Sequence, residues 1–266
     1  VRAKIHLIRL QSSEILQTAQ KVQSLVELTR FFEAHKDAMY TVAWIDCTQT
    51  GSRLGRSVFF AGEHGQERGK LEVHKKKSVP FPSIPFPVVF PWNIKVFNHL
   101  YYSIHASHTK PKHVHYDPFF FPLDRIGNWN RMYGRKGFIQ YQCVFPKSVG
   151  LDPMVEVLTK VAKSGRSSFL AVLKYFGPEN QNFLSFPMEG WTLSLDFMLH
   201  RELFELLTEC DTIVARAGGR VYLAKDARLS KSHFQAMYPK FQHVMQIRNK
   251  YSIENLHSLQ SERLGF

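Results

Sequence analysis

Between residues 137 and 224 the hydrophobic period of the chain changes in a fixed order, and that order limits the folds open to it. Residues 137–146 (GFIQYQCVFP) alternate at the two-residue period of a strand. Asp152-Pro153 offers an N-cap and an N1 proline for a helix to about Lys163, with Gly165 as its stop. Residues 168–176 (SFLAVLKYF) and 191–198 (WTLSLDFM) read as strands. Residues 200–217 follow as a helix carrying Leu203, Leu206, Leu207, Ile213 and Val214, ended by Gly218-Gly219. Residues 220–224 complete the series as a last strand.

The series β-α-β-β-α-β is that of the ferredoxin-like split unit. Upstream, residues 24–34 repeat Leu25, Leu28, Phe31 and Phe32 at helical spacing behind a capping Ser24, and strands are expected at 40–47 (YTVAWIDC) and 57–62. They suggest a half-copy of the same unit. The expected fold is α+β: one antiparallel sheet with helices on one face. The right-handed crossover rule puts helices 152–163 and 201–217 on the same side. Residues 5–10 read as a short strand. The tail from Ser230 reads as helical, with Phe234, Met237, Tyr238, Phe241, Val244 and Met245, and need not pack on the sheet.

Residues 66–118 differ. A lysine run, Lys70 to Lys77, precedes Pro80, Pro82, Pro85, Pro87 and Pro91, which argue against a central strand or a helix. The segment is expected as a covering loop or lid, with a helical turn near residues 97–102. Its His105, His108, His113 and His115 are irregularly spaced, so no metal site is assigned.

A net charge of +13 favours anionic partners. Hydrophobic residues make up 44%, which excludes bulk disorder. Three cysteines without a CxxC pair exclude a disulfide framework. No run of 18 uncharged apolar residues suggests a bilayer span. Helix-turn-helix, zinc-finger and RNP-like signatures are missing, so nucleic acid is not an expected partner. GxGxxG, P-loop, HExxH and GxSxG motifs are also missing. The first residue is Val, as expected of a fragment or a processed product.

Four segments together carry a resemblance. They are YTVAWIDC (40–47), FFFPLDRIGNWNRMYGRKGFIQYQCVFP (119–146), FLAVLKYFGPENQNFLSFPMEGWTLSLDF (169–197) and AGGRVYLAKDARLSKSHFQAMYP (217–239). In this order and spacing the chain resembles the decaprenylphosphoryl-ribose 2′-oxidase group of vanillyl-alcohol-oxidase-like FAD enzymes. The resemblance implies the substrate-binding, or cap, domain at 13–229. Residues 1–12 would be the end of a missing FAD domain or a linker, and 230–266 a helical segment returning to that domain.

It also implies the site. Lys225, in the YxxK stretch after the double glycine, would stand by flavin and substrate as the catalytic cation. Tyr222 and Gln140 would join it at the cofactor, although an ideal strand puts Tyr222 and Lys225 on opposite faces. Gln142, Lys174, Phe176, Thr192 and Trp44 would contact the substrate, with Trp191 as a further wall. A half-exposed sheet face would give the same Gln140/Gln142 alternation. Thr192 and Ser194 depart from mycobacterial members, which carry asparagine and cysteine there, so chemistry relying on that thiol is not expected.

The function implied is oxidation of a secondary alcohol of a sugar, or of a prenyl-phosphate-linked sugar, by hydride transfer to FAD. This chain alone is expected to be inactive, nearly colourless and without stable FAD. Its partners would be the sugar substrate, the FAD domain in cis or trans, and a membrane surface. The location would be cytoplasmic or peripheral to a membrane. The alternative is a non-catalytic module for an anionic ligand.

Overall fold

A computed structural model of the chain describes residues 4–65, 71, 78–166, 168, 170–253 and 255–266. All of the lysine run except Leu71 lies outside the described residues. The strands are β1 (Glu14–Val22), β2 (Tyr40–Ile45), β3 (Ser57–His64), β4 (Val79–Pro80), β5 (His108–His115), β6 (Ile126–Gly127), β7 (Phe138–Pro146), β8 (Ala171–Phe176), β9 (Gly190–Met198) and β10 (Arg220–Val221). The helices are α1 (Leu25–Ala34), α2 (Pro91–Ile104), α3 (Tyr116–Phe120), α4 (Asp152–Lys163), α5 (Leu203–Arg216), α6 (Lys231–Met237), α7 (Phe241–Lys250) and α8 (Leu259–Leu264).

Eight strands form one antiparallel sheet in the order β10-β7-β9-β8-β2-β3-β1-β5, and β4 and β6 pair separately in parallel. Two arrangements meet at the β8–β2 seam. On each side the second strand of a β-α-β-β series lies at the seam, the third next to it, then the first, and a later strand at the edge. The upstream half therefore copies the downstream one, with β5 in the place of β10.

One face of the sheet buries the main core. Ala43, Ile45, Phe59, Tyr141, Cys143, Phe145, Leu173, Leu193 and Leu195 meet Leu28 and Phe32 of α1, Val157 and Val161 of α4, and Leu207 and Val214 of α5. Alternation on the strands and a three-to-four-residue repeat on the helices direct all these side chains inward. The Ser24 hydroxyl accepts from the Glu27 amide at 3.3 Å, and the Glu27 carboxylate accepts from the Gln23 amide at 2.7 Å, which fixes the start of α1. Gly165 and Gly218 take φ of +68° and +67° just beyond α4 and α5, the left-handed turn that ends a helix. Asp152 is the first residue of α4, not its cap; Leu151 holds that position.

Several expectations are corrected. Residues 5–10 are not a strand: Ile5, Leu7 and Ile8 are exposed, and among the described residues no strand lies beside them to bury their alternate positions. The first strand is instead β1, between β3 and β5. The segment 66–118 is not simply a covering loop. It holds α2, fourteen residues long, which begins at Pro91, where a missing N–H costs nothing. It also holds β5, an edge strand in which Pro111 is tolerated.

Nor are all helices on one face. Tyr101 and Tyr102 of α2 pack on Trp44, Val58 and Phe60, which alternate with the core residues and so point the other way. The strand expected at 220–224 stops after Val221, and residues 223–225 form a 3-10 turn. The tail does pack on the main core, through Phe234, Met237, Tyr238, Phe241 and Leu264. Among the described residues no helix is long and apolar enough to cross a membrane.

Candidate functional site

The sheet face opposite α4 and α5 is polar over β7, β9 and β8. Register pairs Gln140 with Asp196, Gln142 with Ser194 and Lys174 with Thr192, so these six side chains share that face. Gln140 Nε2 donates to Asp196 Oδ1 at 3.1 Å. Gln142 Nε2 donates to Thr192 Oγ1 at 3.0 Å, and Thr192 donates in turn to the Cys143 carbonyl. Lys225 reaches the same floor from its turn: Nζ donates to Ser194 Oγ at 3.2 Å.

The turn is why Lys225 arrives here. After Val221 the chain leaves the sheet, and the Lys225 amide closes on the Tyr222 carbonyl at 3.0 Å. The face-to-face opposition expected of a strand therefore does not apply to Tyr222 and Lys225. The Tyr222 ring stacks on Phe186 at 4.5 Å, and Phe186 meets Phe176 edge-on, so these three rings wall one end of the floor. The C-terminal helix braces the turn. Gln260 donates to the Leu223 carbonyl at 2.6 Å, and Arg263 pairs with Asp226 at 2.7 Å.

The other end of the floor is closed by Val89, Ile94 and Tyr133, packed with Phe138 and Met198. Trp44 shares the open face but lies under α2, its ring 4.5 Å from Tyr101, and is almost fully buried. It stands two strands from Ser194, paired with Val172. Trp191 faces the opposite side, edge-on to Phe32 at 5.2 Å in the main core, and is no wall of this floor. The structure thus brings Lys225, Gln140, Gln142, Lys174 and Thr192 together, with Tyr222 and Phe176 at one end and Trp44 apart.

Asp196 was not singled out from the sequence. Its signal was available: an acid at the third polar position of the series Thr192, Ser194, Asp196, which alternates with Leu193, Leu195 and Phe197. Burial pushes its carboxyl up to about 6, against the lowering effects of the Gln140 hydrogen bond and the Lys225 charge. Among the described residues Oδ2 is buried without a hydrogen-bond partner. Lys225 is lowered from its ordinary value by burial first, with Asp196 opposing the shift and Lys174 adding to it. Two groups of opposite charge type are thus each drawn toward neutrality in one place, as at sites that move protons.

All three cysteines, Cys47, Cys143 and Cys210, belong to the main core, so the open face carries no thiol. The four histidines that drew attention engage separately. His105 contacts the Tyr101 carbonyl, His108 the Lys110 carbonyl, His113 the Glu14 carboxylate and His115 the Asp117 carboxylate. Among the described residues no three His, Cys, Asp or Glu side chains converge as metal ligands.

The chain is 33% identical, over 259 residues, to "Decaprenylphosphoryl-beta-D-ribose oxidase" of Mycolicibacterium smegmatis. The chain is homologous to part of that oxidase. The match takes in 93% of the chain and 56% of the relative, so the chain spans little more than half of the relative's length. A second relative, "Uncharacterized protein in mprA 5'region" of Streptomyces coelicolor, is 36% identical over 114 residues, 42% of the chain and 31% of that protein. No family model matches the chain.

Proposed function

We propose that this chain is the substrate-binding half of an FAD-dependent oxidoreductase that oxidises a secondary alcohol of a lipid-linked sugar. The observation that carries the reading is the Lys225–Ser194 bond. It sets an ammonium group on a floor of amide and hydroxyl groups, beside a buried acid and between aromatic walls. The segment resemblance and the name of the homologous oxidase point the same way.

The residues fit one side of a flavin ring. Gln140, Gln142 and Lys225 would hold a bound ring through their N–H groups, and beside them the buried Asp196 Oδ2 has no hydrogen-bond partner among the described residues. The chain carries no GxGxxG turn for a pyrophosphate, so the remaining FAD contacts would come from the part of the protein that matches the rest of the relative. Bound FAD would supply the acceptor for the hydride leaving the carbinol carbon.

This chain's residues do the remainder. Lys225 holds the reacting hydroxyl and stabilises negative charge as it develops on that oxygen. Gln142, Thr192 and Lys174 hold the other sugar oxygens, and Phe176, Phe186 and Tyr222 form the apolar wall. Asp196, poised near neutrality, sets the charge state of Lys225 through the field between them and gives the site an acceptor for the hydroxyl proton.

The test is anaerobic mixing of the full-length gene product with a polyprenylphosphoryl pentose. Loss of oxidised-flavin absorbance at the rate of turnover is the expected result. A flavin-free protein, or a flavin that no polyprenylphosphoryl sugar reduces, would contradict the reading.

A further inference from the structure

Helix α2 is apolar on two opposite sides. Ile94, Asn98 and Tyr102 are buried on the sheet. Trp92, Val96, Leu100 and Ile104 recur every fourth residue on the far side and are 68%, 51%, 54% and 73% exposed. A residue two places along a helix points about 160° away, so the second stripe is turned from the sheet. Phe86 and Phe90, just before the helix, are also exposed. Single exposed apolar residues are ordinary, whereas a contiguous stripe marks a docking surface.

The inner side of α2 is fixed. Asn98 donates to Asp46 Oδ1 at 2.9 Å, Arg56 pairs with Asp46 at 2.5 Å, and the Arg56 guanidinium lies 4.6 Å from the centre of the Tyr102 ring. Burial would raise the Asp46 carboxyl, but hydrogen bonds from Thr48, Arg56 and Asn98 outweigh it and hold it low, so the anchor keeps its charge. The stripe is therefore presented by a helix anchored along its inner side.

One edge of the stripe is basic. Lys95 and His99 border it and, with Arg53, Arg56, Thr48, Gln49 and Thr50, line a solvent-open cavity of about 310 Å³. Among the described residues no carboxylate lines this cavity. Asp46 lies behind it and answers Arg56, which leaves Arg53 and Lys95 for an anion. An apolar stripe with a tryptophan, bordered by cations on a chain of net charge +13, has the makeup of an interfacial helix.

We propose that α2 docks this protein on an anionic lipid bilayer, with the Trp92–Val96–Leu100–Ile104 stripe among the acyl chains and lipid phosphates at the Arg53–Lys95–His99 cavity. The proposal extends the reading above, because a substrate with a prenyl tail is met at a membrane surface.

The experiment is co-sedimentation of the full-length gene product with vesicles of phosphatidylcholine alone or mixed with phosphatidylglycerol, without sugar substrate. Strong binding to the mixed vesicles and weak binding to neutral ones is expected. The Trp92→Ser/Leu100→Ser variant should lower the apparent affinity by about tenfold or more. Arg53→Ala/Lys95→Ala should weaken binding to anionic vesicles alone and reduce its salt dependence. Wild type that stays in solution, or a stripe variant that binds as wild type does, would overturn the proposal. So would shielding of Trp92 fluorescence from acrylamide in vesicle-free protein, since the rest of the gene product would then cover the stripe. No flavin chemistry is read, so docking and oxidase activity stand or fall separately.

Discussion

In the full-length gene product, Lys225→Met is expected to leave the fold intact and to slow flavin reduction by about 30- to 1000-fold. Methionine keeps most of the stem's volume and removes only the ammonium. The bond to Ser194 is lost, but Ser194 is half-buried and water can replace the donor, so stability should change by less than about 1 kcal/mol. The rate should respond far more. A charge-assisted contact to an oxygen that becomes anionic is worth roughly 2–4 kcal/mol in the transition state. Because Gln260 and Arg263 hold the turn, the backbone at 223–226 should not move in the variant. Stopped-flow spectroscopy separates the two effects, and a reduction rate within about twofold of wild type would remove Lys225 from the chemistry.

Asp196→Asn should act on stability and activity in opposite directions. The folded protein raises this carboxyl from 3.8 to about 6, mainly by burial, so folding favours the protonated form. The sign follows from proton linkage. Below about pH 4 the acid is protonated in both states and carries no penalty. Between about pH 4 and pH 6 the unfolded chain gives up this proton while the folded protein keeps it, so roughly 3 kcal/mol of stability is lost by the point where the folded carboxyl ionises. Asparagine keeps an oxygen for the Gln140 donor and never ionises. The variant should therefore be more stable than wild type by up to about 3 kcal/mol at pH 7.5, with the two melting temperatures converging toward pH 4. Activity should fall. Without Asp196, burial and Lys174 draw Lys225 further down unopposed, so the alkaline limb of the reduction rate should move to lower pH. Equal stabilities at pH 7.5 together with an unmoved alkaline limb would show that Asp196 plays neither part.

How far the sequence disclosed this architecture follows from how each segment is buried. In α4, Met154, Val157, Leu158 and Val161 are all buried at helical spacing. In β9, Leu193, Leu195 and Phe197 alternate with polar residues. Both meet the core on one side only, so their periodicity is clean. β1 hid because only Ile15, Ala19 and Val22 of EILQTAQKV are fully buried, a four-then-three spacing that imitates a helix rather than the two-residue period of a strand. β5 hid because an edge strand pairs on one side only and so accepts His, Lys and Pro. Of α2 only the turn near residues 97–102 was legible, because Pro91 reads as a breaker in a proline-rich run yet occupies the one helical position that suits it.

The polar floor was half legible. Gln140 and Gln142 share a face because their strand alternates, and that required no tertiary information. Lys225 could not be placed by period, because it reaches the floor from a 3-10 turn rather than from a strand. The fate of the two tryptophans depended on tertiary packing: α2 lies on Trp44, and Trp191 turns toward α1.

The most direct test of this account is a crystal structure of the full-length gene product with FAD and a non-reacting polyprenylphosphoryl sugar analogue. The account predicts the flavin ring and the sugar on the open face of β7, β9 and β8, with Lys225 Nζ about 3 Å from an oxygen or nitrogen of one of them. A flavin bound on the helix-covered side, or one that leaves Lys225 more than about 8 Å from both ligands and so out of hydrogen-bond reach, would contradict it.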